Sequence, residues 1–157
     1  MTEKEIHTTC AEYNITNYTI NDNLSIDVNG DVYLFDEYFI ELPLYFNIIT
    51  GDFALKFNNL FSLKGAPKYV GDEFYCYGNK IKTLYNIPEV KGKVTIIHNP
   101  ISELWNLFRK KDYIEYFNDL DIIIDNGETV ILDRLNYFLQ DIGDQREIDK
   151  LENYKTI

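Results

Sequence analysis

One pattern of apolar residues recurs along the middle of the chain and constrains the fold more than any other feature. Residues 30–104 repeat the pattern G-x-φ-x-φ-x-x-N-x-φ-x-x-L every 20 or 21 residues, where φ is apolar. The four copies begin in the same register at Gly30, Gly51, Asp72 and Gly92. A fixed period of this length indicates a solenoid, because one repeat cannot bury its apolar side alone and must stack on its neighbours.

The φ-x-φ segment of each repeat predicts a short strand with two inward side chains, since side chains alternate across a strand. The Asn that follows is expected at the turn out of the strand, where its amide can bond the backbone of its own and the neighbouring repeat. We predict a ladder of Asn58, Asn79 and Asn99, with Glu37 in place of Asn in the first repeat.

The return of each repeat is expected to be extended or turn-like, because about 20 residues leave no room for a long helix. Proline, which cannot continue a helix, occurs in three of these returns, as Pro43, Pro67 and Pro88. The four repeats therefore predict a single-sided α/β solenoid with one sheet of short strands.

Residues 1–29 are expected to cap the solenoid, whose end would otherwise expose apolar side chains and strand edges. Thr2 and Glu5 form a capping-box sequence, and Ile6, Cys10 and Tyr13 would share one face of a helix over residues 2–13. Alternating apolar residues on both sides of 29–30, an Asn-Gly pair, predict a hairpin between residues 24–28 and 32–34.

Residues 105–142 lose the period and predict an α+β cap, followed by a charged tail, 143–157, that could form a loose helix. Residues 102–120 are predicted to be helical, with Ser102 as a cap, a break at 110–112 and a second capping box from Asp112 to Glu115. A hairpin of 122–124 with 130–132 follows. Asp133 is expected to cap a last helix that buries Leu135, Phe138, Leu139 and Ile142.

The repeat string resembles the leucine-rich-repeat signature, and segments 81–84, 87–90 and 94–99 look like the short bacterial repeats of about 20 residues. Segments 17–22, 25–32 and 71–79 resemble small leucine-rich-repeat-like proteins encoded by tailed bacteriophages. This resemblance covers about residues 2–105 and, more weakly, the C-terminal cap, and it implies a leucine-rich-repeat-like solenoid of phage origin. Secreted bacterial effectors with such repeats often carry a catalytic ubiquitin-ligase domain, for which this chain has no room, so that activity is not implied.

Charge and cysteine content indicate the expected class of partner and the expected cellular compartment. The 26 Asp and Glu residues outnumber the 15 Lys and Arg residues, which gives a formal net charge of −11. Such a field repels nucleic acid and anionic membranes and favours a basic protein surface, although it could also serve solubility alone. Cys76 occupies an apolar repeat position and should be buried, Cys10 is the only other cysteine, and no signal peptide or membrane span is expected, so we expect a cytoplasmic protein.

The x positions between the apolar ones should form three exposed columns across the strands. The columns are Asp31, Asp52, Glu73 and Lys93; then Tyr33, Ala54, Tyr75 and Thr95; then Phe35, Lys56, Tyr77 and Ile97. Tyrosine is enriched at protein interfaces because it gives contact area with little entropy loss. We therefore predict a binding face there, against the alternative that these pairs only stabilise the sheet.

The sequence contains few residues arranged in a pattern typical of catalysis. The two histidines, His7 and His98, are far apart in sequence, and His98 is expected to be a turn residue. The chain has no glycine-rich phosphate loop, no paired-cysteine metal spacing and no nucleophile elbow, so neither metal nor cofactor is expected. A carboxylate-based enzyme stays an alternative, because acids are abundant.

The function favoured by the sequence is a non-catalytic protein-binding module. With the phage resemblance, it would act in the bacterial cytoplasm on a basic surface of a host protein, for example a defence or CRISPR component. An acidic nucleic-acid mimic that blocks a basic groove is the main alternative. A virion or assembly component that forms a homo-oligomer through the open sheet edge is another.

Overall fold

The computed structural model describes residues 1–107 and 113–157. Within these ranges the chain forms short helices and many short strands. The helices are α1 Glu3–Glu12, α2 Ser102–Trp105, α3 Ile114–Asp119 and α4 Leu132–Asp141. The strands are β1 Tyr18–Ile20, β2 Ile26–Val28, β3 Val32–Tyr33, β4 Phe46–Ile49, β5 Phe53–Ala54, β6 Tyr69–Val70, β7 Phe74–Tyr75, β8 Glu89–Val90, β9 Val94–Thr95, β10 Ile123–Ile124, β11 Thr129–Val130 and β12 Lys155–Thr156.

The repeats form a solenoid, as predicted, and its strands build two sheets. One sheet has the order β1-β2-β4-β6-β8, and the other has the order β3-β5-β7-β9. All pairings between successive repeats are parallel, and each repeat adds one strand to each sheet. The result is a parallel β-solenoid of roughly three turns.

The prediction of a single-sided solenoid is wrong, because the return of each repeat contains its own strand. Val28, Ile49, Val70 and Val90 pair with one another across β2, β4, β6 and β8. These apolar residues precede the template glycine or aspartate by two positions and recur at the repeat period. Pro43, Pro67 and Pro88 precede these strands outside any helix, so the expectation of an extended or turn-like return holds while the expectation of one sheet does not.

The predicted hairpin between 24–28 and 32–34 is also wrong. β2 pairs antiparallel with β1, with Tyr18 opposite Val28, whereas β3 belongs to the other sheet. Asn29 and Gly30 therefore form a corner between two sheets and not a two-residue hairpin turn. The φ of Gly30 is +141°, a value that L side chains rarely adopt.

Apolar side chains from both sheets fill the interior of the solenoid. The rings of Phe53 and Phe74, in adjacent repeats, are stacked with centroids 5.6 Å apart, and Phe46 from the other sheet lies 5.2 Å from Phe53. The fully buried template residues are Val32, Leu34, Phe53, Leu55, Leu60, Leu63, Phe74, Cys76, Ile81, Leu84, Ile96, Ile101 and Leu104. Burying each large side chain contributes about 1.5–3 kcal/mol, and stacking of like residues provides that burial repeat by repeat.

The asparagine ladder ties successive turns together. Asn58 accepts hydrogen bonds from the backbone N–H groups of Glu37 and Phe39, and donates to Leu34 O at 2.8 Å. Asn79 repeats this pattern one turn later, and Asn99 is buried at the equivalent position. The interaction predicted from the repeat is confirmed for Asn58 and Asn79, and Glu37 takes part through its backbone N–H.

Helix α1 begins with the predicted capping box. Thr2 Oγ1 accepts from Glu5 N at 3.3 Å, and the Glu5 carboxylate accepts from Thr2 N at 2.6 Å. Ile6 and Cys10 are fully buried. Burial raises the pKa of both the Cys10 and Cys76 thiols, so each packs as a small apolar group.

The chain divides into two compact units, residues 1–81 with 85–98, and residues 82–84 with 99–157. The second unit contains α2 to α4 and a small sheet in the order β10-β11-β12. The second predicted hairpin is present as antiparallel pairing of β10 with β11, but its second strand ends at Val130, because Ile131 is the N-cap of α4 and Leu132 begins that helix. α4 buries Leu135, Phe138 and Leu139, as expected, whereas Ile142 is the C-cap after the helix and is only half-buried.

Other details of the C-terminal prediction need correction. Ser102 and Asp133 make no capping bond, because each lies inside its helix, beyond the N-cap residues Ile101 and Ile131. The tail contains β12, parallel to β11, where a loose helix was expected. The predicted break at 110–112 and the capping residue Asp112 lie outside the described residues. No helix in the described ranges is both long and apolar enough to cross a bilayer.

Candidate functional site

The outer surface of the β3-β5-β7-β9 sheet carries the residues predicted to bind a partner. The pairing register places Tyr33, Ala54, Tyr75 and Thr95 side by side, one from each strand. We call one part of this surface the aromatic face. It consists of four aromatic residues with Ile97 and a central lysine: Tyr33, Phe35, Lys56, Tyr75, Tyr77 and Ile97. A parallel sheet of this kind positions side chains rigidly, because each strand is fixed by its neighbours.

Exposure differs along the aromatic face. Tyr33, Phe35 and Ile97 keep 48%, 38% and 51% of their surface accessible. Lys56, Tyr75 and Tyr77 are half-buried. Ala54 is fully buried, although its x position predicted exposure, because its larger neighbours close over a side chain of one carbon.

Lys56 lies at the centre of the aromatic face, inside a cage of rings. Its Nζ is 4.9 Å from the ring centroid of Phe35, 4.6 Å from that of Tyr75 and 5.5 Å from that of Tyr77. An ammonium at such distances is attracted by the negative face of each ring, with about 0.5–1 kcal/mol per exposed contact. The lysine therefore fixes rings from two different strands around one charge.

Two tyrosines are fixed from the other side by a row of carboxylates, which we call the acid row: Asp31, Asp52 and Glu73. Tyr33 Oη donates to Asp31 Oδ2 at 3.1 Å, and Tyr75 Oη donates to Glu73 Oε2. The row also stitches strands, since Asp52 N donates to Asp31 Oδ1 at 2.8 Å and Glu73 N donates to Asp52 Oδ1 at 3.0 Å. Lys93, the remaining predicted site residue, is exposed and follows the row in the fourth repeat.

A shallow groove of about 430 Å³ runs beside the acid row. Its lining combines acids, a lysine and backbone at the corner glycines: Asp52, Gly71, Asp72, Glu73, Tyr75, Lys91 and Gly92. The groove gives a partner side chain access to the carboxylates from the edge of the aromatic face.

Tyr75 should titrate late, which offers a test of this geometry. The hydrogen bond to Glu73 is the main cause that raises the pKa of Tyr75 from 10.0 to about 12. Below pH 10 the bond stabilises the folded state, and this contribution is lost as the pH rises from 10 to about 12, because the folded-state pKa exceeds the unfolded one. A spectrophotometric titration of wild type minus Tyr75→Phe should reveal this late tyrosinate, and Glu73→Gln should shift it towards ordinary values. A difference titration centred near pH 10 in both backgrounds would contradict the hydrogen bond.

Sequence reasoning missed Phe57, which extends the aromatic face. Its ring is 53% exposed and meets Tyr77 edge-on, with centroids 5.0 Å apart. Phe57 directly precedes the ladder asparagine, a position occupied in the other repeats by Asp36, Gly78 and His98. All four residues have φ between 54° and 73°, so this column turns the chain out of each strand and confirms His98 as a turn residue. The repeat pattern contains the signal for Phe57, because the x position directly before each asparagine recurs in every repeat.

Metal-ligand geometry is absent from the part of the chain that the structure describes, where no group of three or more His, Cys, Asp or Glu side chains could hold an ion. The groups that the site presents are ring faces, one caged ammonium and a row of carboxylates. Comparisons of the chain with protein-family models, curated proteins and solved structures found no match.

Proposed function

We propose that this chain is a non-catalytic protein-binding module that docks a partner on the aromatic face. The observation that carries the proposal is the caged Lys56, which holds exposed and half-buried rings of neighbouring strands in one arrangement. Rings fixed in advance lose little entropy on binding, and this is the property that makes tyrosine effective at interfaces. A leucine-rich-repeat-like solenoid, supported by the asparagine ladder, is the scaffold in this proposal.

The charge of the chain supports a basic partner. Its net charge is −11, and the acid row lies directly beside the aromatic face. Complementary charge accelerates encounter and favours partners of opposite sign, while the rings supply the contact area. The proposal includes a phage origin and a bacterial host protein as partner, such as a defence component, and this part rests on the resemblance of the repeat sequences.

Affinity capture from a bacterial lysate with mass spectrometry tests this function. The double variant Tyr33→Ala with Tyr75→Ala should lose the partner that the wild type captures, with binding weakened by about 1,000-fold if each ring contributes about 2 kcal/mol as an interface hot spot. Lys56→Ala should weaken capture less, because the rings remain but lose their common anchor.

Matched controls remove exposed aromatic rings elsewhere. Tyr45, 51% exposed, lies outside the aromatic face, and Tyr137, 57% exposed, lies on α4 in the second unit. Tyr45→Ala and Tyr137→Ala should both retain capture. A partner that survives the face variants, or is lost equally with the control variants, would show that the aromatic face is not the docking surface.

An acidic nucleic-acid mimic is the second candidate, favoured by the acid row alone. Mimicry depends on charge, so capture should weaken steeply as salt is raised, and Asp31→Asn with Glu73→Gln should have a larger effect than loss of the rings. Docking on the aromatic face predicts the reverse order of effects and a shallow salt dependence.

A further inference from the structure

The first strand of the site, β3, leaves one backbone edge without a strand. Val32 N donates to Asp52 O, Leu34 N to Ala54 O and Asp36 N to Lys56 O, so these three residues face β5 and its continuation. Backbone groups alternate in direction along a strand, and those of Tyr33 and Phe35 therefore point away from β5. In the sheet order of the described residues, β3 has no neighbour on that side.

The two sheets differ at this end of the solenoid. In the first sheet, β1 pairs antiparallel with β2 and covers the equivalent edge. In the second sheet the corresponding edge carries exposed acids, Asp31, Asp36 and Glu37, and the exposed rings of Tyr33 and Phe35. Acidic charge on both partners opposes pairing of this edge with a second copy of the chain, whereas it attracts a segment of opposite charge.

We propose that the β3 edge accepts an extended, basic segment of the partner protein as an additional strand of the β3-β5-β7-β9 sheet. This inference deepens the proposed function and rests on it, since the added strand would continue the aromatic face. The backbone of the segment pairs with the N–H and C=O groups of Tyr33 and the N–H of Phe35, which is the mode known as strand addition.

The register within the sheet specifies the side chains of the segment. Strand positions i, i+2 and i+4 of an added strand lie beside Asp31, Tyr33 and Phe35, which share one face. Lys56 demonstrates the geometry at Phe35, because it reaches that ring from the neighbouring strand with its Nζ 4.9 Å from the centroid. A Lys or Arg at i+4 would contact the ring of Phe35 from the opposite side, a Lys or Arg at i would pair with Asp31, and an apolar residue at i+2 would pack on Tyr33.

A labelled peptide with the sequence Thr-Lys-Thr-Val-Thr-Lys-Thr is the probe, and fluorescence anisotropy is the measurement. It should bind the full chain with an affinity in the micromolar to millimolar range that strand addition by short peptides provides. Replacing both lysines of the peptide by Glu should weaken binding by about tenfold or more. Methylating the backbone nitrogens on the edge of the peptide that pairs with β3 should weaken binding to a similar extent, because methylation removes hydrogen-bond donors without changing the charge.

Variants of the chain separate the edge from the face. Tyr33→Pro removes the outward N–H while leaving the donors of Val32 and Leu34 intact, and should abolish peptide binding. Tyr33→Ala keeps that N–H and should retain pairing with loss of the ring contact only. If Tyr33→Pro does not fold, binding of the methylated peptide to the wild-type protein tests whether backbone pairing occurs.

Failure to bind the lysine peptide, equal binding of its methylated form or full binding by folded Tyr33→Pro would overturn the inference. Tyr33→Pro also lacks the ring, so its lysate capture is compared with that of Tyr33→Ala. Capture that is lost in the double ring variant but is no weaker in Tyr33→Pro than in Tyr33→Ala would leave the proposed function standing and remove the strand addition. Capture intact in both sets of variants would remove the docking surface as well.

Discussion

Replacing Gly71 by alanine is expected to destabilise the protein by about 3 kcal/mol, a large part of the total for a domain of this size. A Cβ built on Gly71 would lie 2.0 Å from Thr50 O and 2.7 Å from Thr50 C. Both atoms are backbone of the preceding turn, which is held by the hydrogen bond from Gly71 N to Ile49 O at 2.8 Å. Relief therefore requires two turns of the solenoid to separate, and no side chain can simply rotate away.

Urea unfolding followed by circular dichroism measures this effect. The matched control is Gly143→Ala, because a Cβ on Gly143 meets nothing within 4 Å while its φ of +80° makes alanine strained. That variant should lose about 1 kcal/mol, the conformational cost of a left-handed residue without a clash. Equal losses in the two variants would show that close stacking at the corner does not limit the fold.

The repeated contact between successive turns also explains which parts of the fold could be predicted from the sequence. Template positions repeat because each turn of the solenoid meets the next one in the same way, so one period encodes the strand, the asparagine and the buried apolar residues together. The strands β3, β5, β7 and β9 and the ladder at Asn58 and Asn79 followed from that period.

The second sheet escaped prediction although its signal has the same period. Alternating apolar residues marked a strand only at residues 24–28, whereas the segments that lead to Val70 and Val90 show no alternation from which a strand could be identified. Asn29-Gly30 was misread for a related reason. Local turn chemistry is identical for a hairpin and for a corner between sheets, and only the partner strand distinguishes them.

At the candidate site, the sequence predicted which residues share a face but not what holds them. Alternation placed Lys56 on the face with Phe35 and Tyr77, whereas its position over three ring centroids depends on side-chain conformations that no period specifies. Ala54 was expected to be exposed and is buried, because exposure at an x position depends on the size of its neighbours.

Replacing Asn79 by alanine is expected to cost at least about 3 kcal/mol, since a buried group that loses its partner costs about 1–3 kcal/mol and three groups are affected. Asn79 Oδ1 accepts from Leu60 N at 3.1 Å, and Nδ2 donates to Leu55 O at 2.7 Å and to Cys76 O at 3.2 Å. Asn79 is only 7% exposed, so water does not readily replace these bonds. Two of the three partners, Leu55 and Leu60, belong to the preceding repeat, so the variant loosens the stacking of turns as well as its own turn.

The sharpest comparison is between Asn79→Ala and Asn79→Asp. Aspartate keeps the acceptor for Leu60 N but presents an oxygen to Leu55 O and Cys76 O, where two acceptors repel and a charge would be buried. We therefore expect Asn79→Asp to be at least as unstable as Asn79→Ala near neutral pH and to recover part of its stability in acid, where a protonated carboxyl donates one bond. Asn106→Ala, at an exposed asparagine that ends α2, should change the free energy of unfolding by less than about 0.5 kcal/mol. Stability of Asn79→Asp close to wild type at neutral pH would mean that the ladder is open to water, and that the apolar stacking alone holds the repeats together.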